Sequence, residues 1–177
     1  MMRLLANLAD LTRLEAGRLQ LQRLRLRPAE LLETVIAQRR LLASARKIAI
    51  EAVCDEQVDA PMDGDLVLRV LENLFDNALR HVPPGGRIEA RCEVYGNDVH
   101  IRIGNSGPPI PLEARQLIFE KFAQPSAASG RMNLGLGLYF CRLAIEAHGG
   151  RIHVDESRDL PAIFTLELPR GDRVIAA

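Results

Sequence analysis

One run of residues limits what this chain can fold into more than any other. From Leu66 onward, apolar side chains stand at Leu66, Val67, Val70, Leu71, Leu74, Phe75 and Ala78. That spacing follows the helical turn, so the run predicts a helix with one broad face against a core. Arg69, Glu72 and Asp76 fall on the far side, toward water. Advancing about 100° per residue sets Asn73, Asn77 and Arg80 along one edge of the stripe, and His81 just inside it. Asparagine is a poor helix former, and a buried amide without partners costs roughly 1–3 kcal/mol. Two of them one turn apart therefore need a reason. Capping of neighbouring loops is one. A cation or phosphate site is the other, with amide oxygens as hard ligands and Arg80 as charge partner.

The flanking segments supply the rest of a layered domain. Asp63 or Asp65 can cap the helix, and Val82-Pro83-Pro84-Gly85-Gly86 ends it in a turn. Ile88, Ala90, Cys92 and Val94 then alternate with Arg87, Glu89, Arg91 and Glu93. Gly96-Asn97-Asp98 turns this strand into Val99, Ile101 and Ile103, a hairpin with one apolar face. Such a sheet takes helices on one side and water on the other. Ile48, Ile50 and Val53 predict a further strand, and Ile152, Val154, Phe164, Leu166 and Leu168 predict two more. Pro28 opens a helix with Leu31, Leu32, Val35, Ile36 and Leu42 on its face. Leu112 to Phe122 reads as a short helix, and Leu138 to His148 as one closed by Gly149-Gly150. The expected fold is an α/β two-layer sandwich: a mixed sheet of about five strands with three principal helices on one face. A leucine stripe at Leu4, Leu5, Leu8, Leu11 and Leu14 adds an N-terminal helical stub, and the period-two stretch Leu19 to Leu26 an extended linker.

Composition excludes several classes. Lys+Arg and Asp+Glu both number 23 in 177 residues, which leaves no basic footprint for nucleic acid or for a membrane surface. Aromatics at 4% argue against a base-stacking platform, and no apolar run approaches a membrane span. Cys54, Cys92 and Cys141 are odd in number and dispersed among apolar neighbours. They read as small core residues in a reducing cytoplasm, not as metal ligands or bridges.

Two glycine-rich stretches bear on the asparagines. Ile103-Gly104-Asn105-Ser106-Gly107-Pro108-Pro109-Ile110-Pro111 follows an alternating strand, and Asn133-Leu134-Gly135-Leu136-Gly137-Leu138 opens an apolar helix. With Asn73 and Asn77 they resemble, in order and spacing, the N, G1 and G2 boxes of the histidine-kinase catalytic domain, which has the Bergerat ATP-binding fold. Ile118-Phe119-Glu120-Lys121-Phe122 looks like that family's F box, and Glu146-Ala147-His148-Gly149-Gly150-Arg151-Ile152 is similar to its exit from the last helix. Leu11-Thr12-Arg13-Leu14-Glu15-Ala16-Gly17-Arg18-Leu19 resembles the end of the second helix of the dimerisation hairpin.

The resemblance implies a division into residues 1–26, hairpin end and linker, and 27–177, the ATP-binding domain. It implies ATP and Mg²⁺ as ligands, with Asn77 on the metal, Asn73 its partner and Arg80 aimed at phosphate; these three are the catalytic set. Around the nucleotide it implies His81, Asn105, Gly107, Ile110, Phe122, Arg131, Leu134, Gly135, Leu136, Gly137 and Leu138. Backbone N–H groups at a glycine-rich helix start suit phosphate oxygens. Hydrolytic relatives hold a Glu at the place of Asn73, and an amide cannot take water's proton, so the helix suits transfer to an external nucleophile. By resemblance that nucleophile is a His on the missing first hairpin helix, in two-component signalling. Neither His81, His100, His148 nor His153 is followed by the acidic and basic pair of the acceptor motif. The chain is thus expected to be a fragment or truncated product. Its expected partners are phosphoacceptor helices, a response regulator and, at full length, a second copy, all in the cytoplasm.

Three positions depart from the family pattern. Asn105 stands where an Asp accepts the adenine amino group, Pro109 where a Gly is usual, and Asn133 replaces the first glycine of G2. Losing charge assistance at Asn105 costs on the order of 1–2 kcal/mol. Proline fixes φ and removes a donor. A degenerate domain that binds nucleotide weakly or not at all and acts as a regulatory module is therefore the alternative. A Ser/Thr kinase of the anti-sigma-factor type on the same fold is a third reading, opposed by the hairpin-like start. Ala123 to Arg131, rich in Ala, Ser and Gly, is either a disordered loop or, by resemblance, the lid over the phosphates.

Overall fold

The computed structural model describes residues 10–123 and 135–171. Its first strand, β1 (Leu24–Leu26), is followed by helix α1 (Pro28–Ala45), β2 (Ala49–Cys54) and β3 (Ala60–Met62). Helix α2 (Gly64–His81) leads into β4 (Arg87–Tyr95) and β5 (Asp98–Asn105). Then come a single helical turn α3 (Ala114–Leu117), helix α4 (Gly137–Ala147), β6 (Arg151–Asp155) and β7 (Ala162–Pro169). Five strands form one sheet in the order β2-β4-β5-β7-β6. The β2–β4 pair is parallel and the others antiparallel, so the sheet is mixed, as the patterning predicts.

The core lies between this sheet and the three long helices. Leu66, Val67, Val70, Leu71, Leu74, Phe75, Ala78 and Leu79 of α2 are all buried, against Ile88, Ala90, Ile101, Ile103, Phe164 and Leu166 of the strands. Burying a large apolar side chain is worth roughly 1.5–3 kcal/mol, so this face alone fixes where α2 sits. Helix α2 packs between α1 on one side and α4 on the other.

Several expectations need correction. The far face of the sheet is not simply wet: His100 and Thr165 are buried there, and Leu160 closes over Gly104. Arg102 pairs with Glu93 at 2.6 Å, and Arg151 holds Glu167 through two bonds of 2.6 and 2.9 Å. Arg69 does not face water. It bonds Asp10 at 2.6 Å and lies over the Phe140 ring, 4.4 Å from its centroid. The helix predicted over Leu112–Phe122 is only α3, because Ile118 and Phe119 leave the helical path to enter the core, Phe119 edge-on to Phe164 at 6.2 Å. Val53 is exposed on the edge strand β2.

The N-terminal segment is helical over residues 10–15, with Leu11 and Leu14 buried; the leucines before them lie outside the described residues. Gly17, at φ +61°, ends the helix as its N–H bonds the Leu14 carbonyl and that of Arg18 bonds Arg13. The linker is extended as predicted, but its last residues become β1, which pairs antiparallel with β3.

Candidate functional site

Helix α2 is held firmly at both ends. Asp63 caps its start, Oδ1 accepting the Leu66 N–H at 3.2 Å, while the Asp63 N–H donates to His148 Nε2 at 3.0 Å. At its end Arg46 donates to the Leu79 carbonyl and, at 2.6 Å, to that of Val82. Arg39 of α1 reaches across to Asp76 at 2.8 Å. The bonds at Asp63 and Arg46 satisfy backbone groups that a helix end leaves without intrahelical partners. No pattern in the sequence assigns a role to Arg39 or Arg46, and for His148 it points only to the helix exit.

On this scaffold Asn73 and Asn77 are half-buried at the rim of the apolar face, and Arg80 is exposed beyond them. His81 is exposed rather than inside the stripe, because the helix ends there and Val82 takes the last core place. Partial desolvation of the His81 ring, helped by the Arg80 charge, holds its pKa below the ordinary imidazole value.

The two glycine stretches come to the same rim. A Cβ placed on Gly137, the first residue of α4, would stand 3.3 Å from Asn73 Oδ1. Gly135 has φ +63°, and a Cβ there would lie 2.7 Å from both the Phe122 carbonyl carbon and the Ala123 oxygen. Only glycine allows this approach. Phe122 is itself left-handed at φ +63° with an exposed ring. Leu136 and Leu138 flank the turn, half-buried against the core. On the other side Gly107 sits under the end of α2, where a Cβ would be 3.0 Å from the His81 carbonyl oxygen.

Asn105 forms the floor, with only 2% of its surface exposed. Its Oδ1 accepts the Gly107 N–H at 2.9 Å, and its Nδ2 donates to the Ala162 carbonyl at 3.4 Å. Pro108 and Pro109 are at the surface, and Ile110 is half-buried, its carbonyl accepting from Arg115 Nε at 3.1 Å. The predicted residues Asn73, Asn77, Asn105, Gly107, Gly135 and Gly137 thus belong to one rim and its floor. Arg131, Asn133 and Leu134, with most of the Ala123–Arg131 stretch, lie outside the described residues. Among the described residues no group of three His, Cys, Asp or Glu could hold a metal ion. No helix among them is long and apolar enough to cross a membrane.

Residues 62–172 match the model of one protein family, described as histidine kinase-, DNA gyrase B-, and HSP90-like ATPase. The chain belongs to that family. Among its members the likeness is to sensor histidine kinases. The alginate biosynthesis sensor protein KinB of Pseudomonas aeruginosa is 33% identical over 170 residues, covering 94% of this chain and 28% of KinB. The nucleotide-free catalytic domain of the histidine kinase ThkA superposes with a TM-score of 0.77 at 28% identity, over 85% of this chain and 97% of that domain. Full-length ShkA in complex with AMPPNP shares the fold at a TM-score of 0.80 and 24% identity, over 92% of this chain and 34% of ShkA. This HATPase chain is therefore a catalytic domain of the sensor-histidine-kinase type, and it spans about a quarter of KinB's length.

Proposed function

We propose that this domain binds Mg-ATP at the rim formed by α2, the Asn105–Ile110 turn and the start of α4, and passes the γ-phosphoryl group to a histidine on a dimerisation helix. From there the group goes to a response regulator in the cytoplasm. The observation that carries the reading is the approach of Asn73 Oδ1 to Gly137. It brings the amide-bearing helix and a glycine-opened helix start to one place, with no side chain between them. The residues fit the ligand. Asn77 offers an amide oxygen to Mg²⁺, and Arg80 and the backbone N–H groups of the α4 start offer positive ends to phosphate oxygens. Bound Mg²⁺ would neutralise charge on the phosphates. Asn73 orients but cannot accept a proton, so water is not activated there. Gly107 lets the turn pack closely on Asn105 and the His81 carbonyl, and Asn105 is the residue assigned to the adenine ring edge.

A regulatory module without nucleotide is not favoured. Asn105 keeps the turn closed onto Gly107, and Pro109 stands outside it at the surface. Calorimetric titration with Mg-ADP tests the reading. The parent chain should bind, and Asn77→Ala should lose at least tenfold in affinity only when magnesium is present, with its melting midpoint unchanged. Equal binding by the folded variant would remove Asn77 from the site. Joining the chain to a complete hairpin should give acid-labile label on the hairpin histidine.

A further inference from the structure

Strand pairing brings together two cysteines that lie far apart in sequence. Strands β2 and β4 run parallel, and Cys54 and Cys92 are direct partners in their register. Partners on neighbouring strands face the same side, here the helix-covered side that also holds Ile50 opposite Ile88. Neighbouring strands lie about 4.8 Å apart, a spacing within the roughly 4.4–6.8 Å of Cα separation that disulfides span. Both thiols are free.

Their surroundings differ in a useful way. Cys54 ends the edge strand β2 and is half-buried, whereas Cys92 is buried. The neighbouring Cys92 thiol pulls the Cys54 thiol down, against its own burial and the nearby Glu33 charge. The neighbouring Cys54 thiol, with burial, pushes the Cys92 thiol up. Cys54, half-buried at the end of an edge strand, is the sulfur that a dissolved oxidant reaches first. The thiolate is the nucleophile in thiol chemistry. Cys141 offers an internal comparison, fully buried in α4 with its S–H on the Val70 carbonyl at 3.7 Å.

We propose that Cys54 and Cys92 are a modification site, a dithiol that two-electron oxidants of the peroxide class convert to a reversible intrachain disulfide. The Cys54 thiolate attacks one peroxide oxygen and the O–O bond breaks, leaving Cys54 as a sulfenic acid and releasing hydroxide, which takes up a proton as water. The Cys92 sulfur then attacks Cys54 sulfur. The S–O bond breaks, and the hydroxyl leaves with the Cys92 proton as a second water. Two thiols and one hydrogen peroxide thus give one disulfide and two waters. The chain between the two cysteines contains β3 and all of α2. Oxidation therefore closes a covalent ring through the helix that carries Asn73 and Asn77.

The test uses the full chain and no nucleotide, so its outcome is independent of the ATP reading. The chain is treated with hydrogen peroxide, alkylated, digested without reduction and mapped by mass spectrometry. A Cys54–Cys92 linked peptide that disappears with dithiothreitol is expected, with Cys141 still a free thiol. In Cys92→Ser the intermediate should persist and be trapped on Cys54 by dimedone. The bridged parent should melt several degrees higher than the reduced one. Over-oxidation of Cys54 to sulfinic acid without a link to Cys92, or a bridge between Cys54 residues of two chains, would overturn the proposal. Because the linked peptide is sought in the parent chain, a poorly folded serine variant leaves the result intact.

Discussion

His148 holds Asp63: ring atom Nε2 accepts the Asp63 backbone N–H at 3.0 Å, while Nδ1 lies 2.6 Å from the Ala144 carbonyl oxygen. A backbone N–H only donates and a carbonyl only accepts, so the ring is neutral with its proton on Nδ1. The far end of α4 thereby fixes the residue that caps α2, and the two helices whose starts and edges line the site are tied together at a distance from it.

This bond makes stability depend on pH in a stated direction. Burial is the main cause that pushes His148 below the ordinary value of 6.5. The unfolded chain therefore takes up a proton before the folded one does. Stability from this group is complete above about pH 6.5 and declines as pH falls below it. His148→Gln should lower stability by roughly 1–3 kcal/mol near neutral pH, through the lost bonds. Its urea midpoint should also change less than the parent's on acidification. Parallel pH profiles for the two would count against a neutral buried ring.

Asn105→Asp tests the floor. One carboxylate oxygen would keep the Gly107 N–H, but the other would replace a donor and face the Ala162 carbonyl. With that carboxylate buried and unpaired, the ligand-free variant should be less stable by roughly 1–3 kcal/mol in urea unfolding. If adenine presents its amino group there, saturating Mg-ADP should restore more stability to the variant than to the parent, and Mg-GDP should not. A deficit that ADP leaves untouched would place the base elsewhere.

The two glycines before and at the start of α4 should respond differently to alanine. At Gly137 the new methyl meets only the Asn73 side chain, which is able to turn away. Helix propensity offsets the crowding by about 0.5–1 kcal/mol, so Gly137→Ala should fold normally while Mg-ADP binding weakens by about fivefold or more. Gly135→Ala meets backbone on a left-handed residue and should lose at least about 1–2 kcal/mol. Thermal melts and nucleotide titration of both variants separate the effects. A Gly135→Ala variant as stable as the parent would refute the close approach to Phe122.

Glu15 ties the N-terminal helix end to both flanks of the site. Its carboxylate accepts from Lys121 Nζ at 2.6 Å and from the Tyr139 hydroxyl at 2.9 Å. The Lys121 bond, then Tyr139, holds its pKa below the ordinary carboxylate value, so the tie is present above that range and fades as pH falls through it. Glu15→Ala should speed amide exchange over residues 10–17 and leave the α2 amides unchanged. Exchange that is the same in both chains would mean the contact holds nothing.

Much of the fold is legible in the sequence because periodicity reports burial directly. The α2 stripe, the Ile88–Val94 alternation and the turn at Gly96-Asn97 each depend on neighbours a few residues away. Asn73 and Asn77 stand out because asparagine mid-helix runs against propensity. Long-range partners are not legible. Nothing in the spacing announces that Arg46 reaches Leu79, or that Arg69 leaves water for Asp10 and Phe140. Cys54 and Cys92 look dispersed in the chain, and only the parallel register of β2 and β4 makes them neighbours. An ideal helical wheel misplaces His81 because it assumes that the helix continues, and it does not.

The carboxylate of Asp63 is shared between two masters. Oδ1 serves the first turn of α2, and Oδ2 accepts the backbone N–H of Gln22 at 2.9 Å. Arg23 grips the Ala147 carbonyl at the same distance, and Arg25 forks onto Asp59. The segment entering from the helical stub is therefore stitched to the foundations of both site helices before α1 begins. A shortened chain opening at residue 27 would leave β3 without its neighbour and Asp63 with half its load. Any tug on the stub would reach the asparagine helix through this one side chain, which makes residues 19–26 a tie-rod and not a tether.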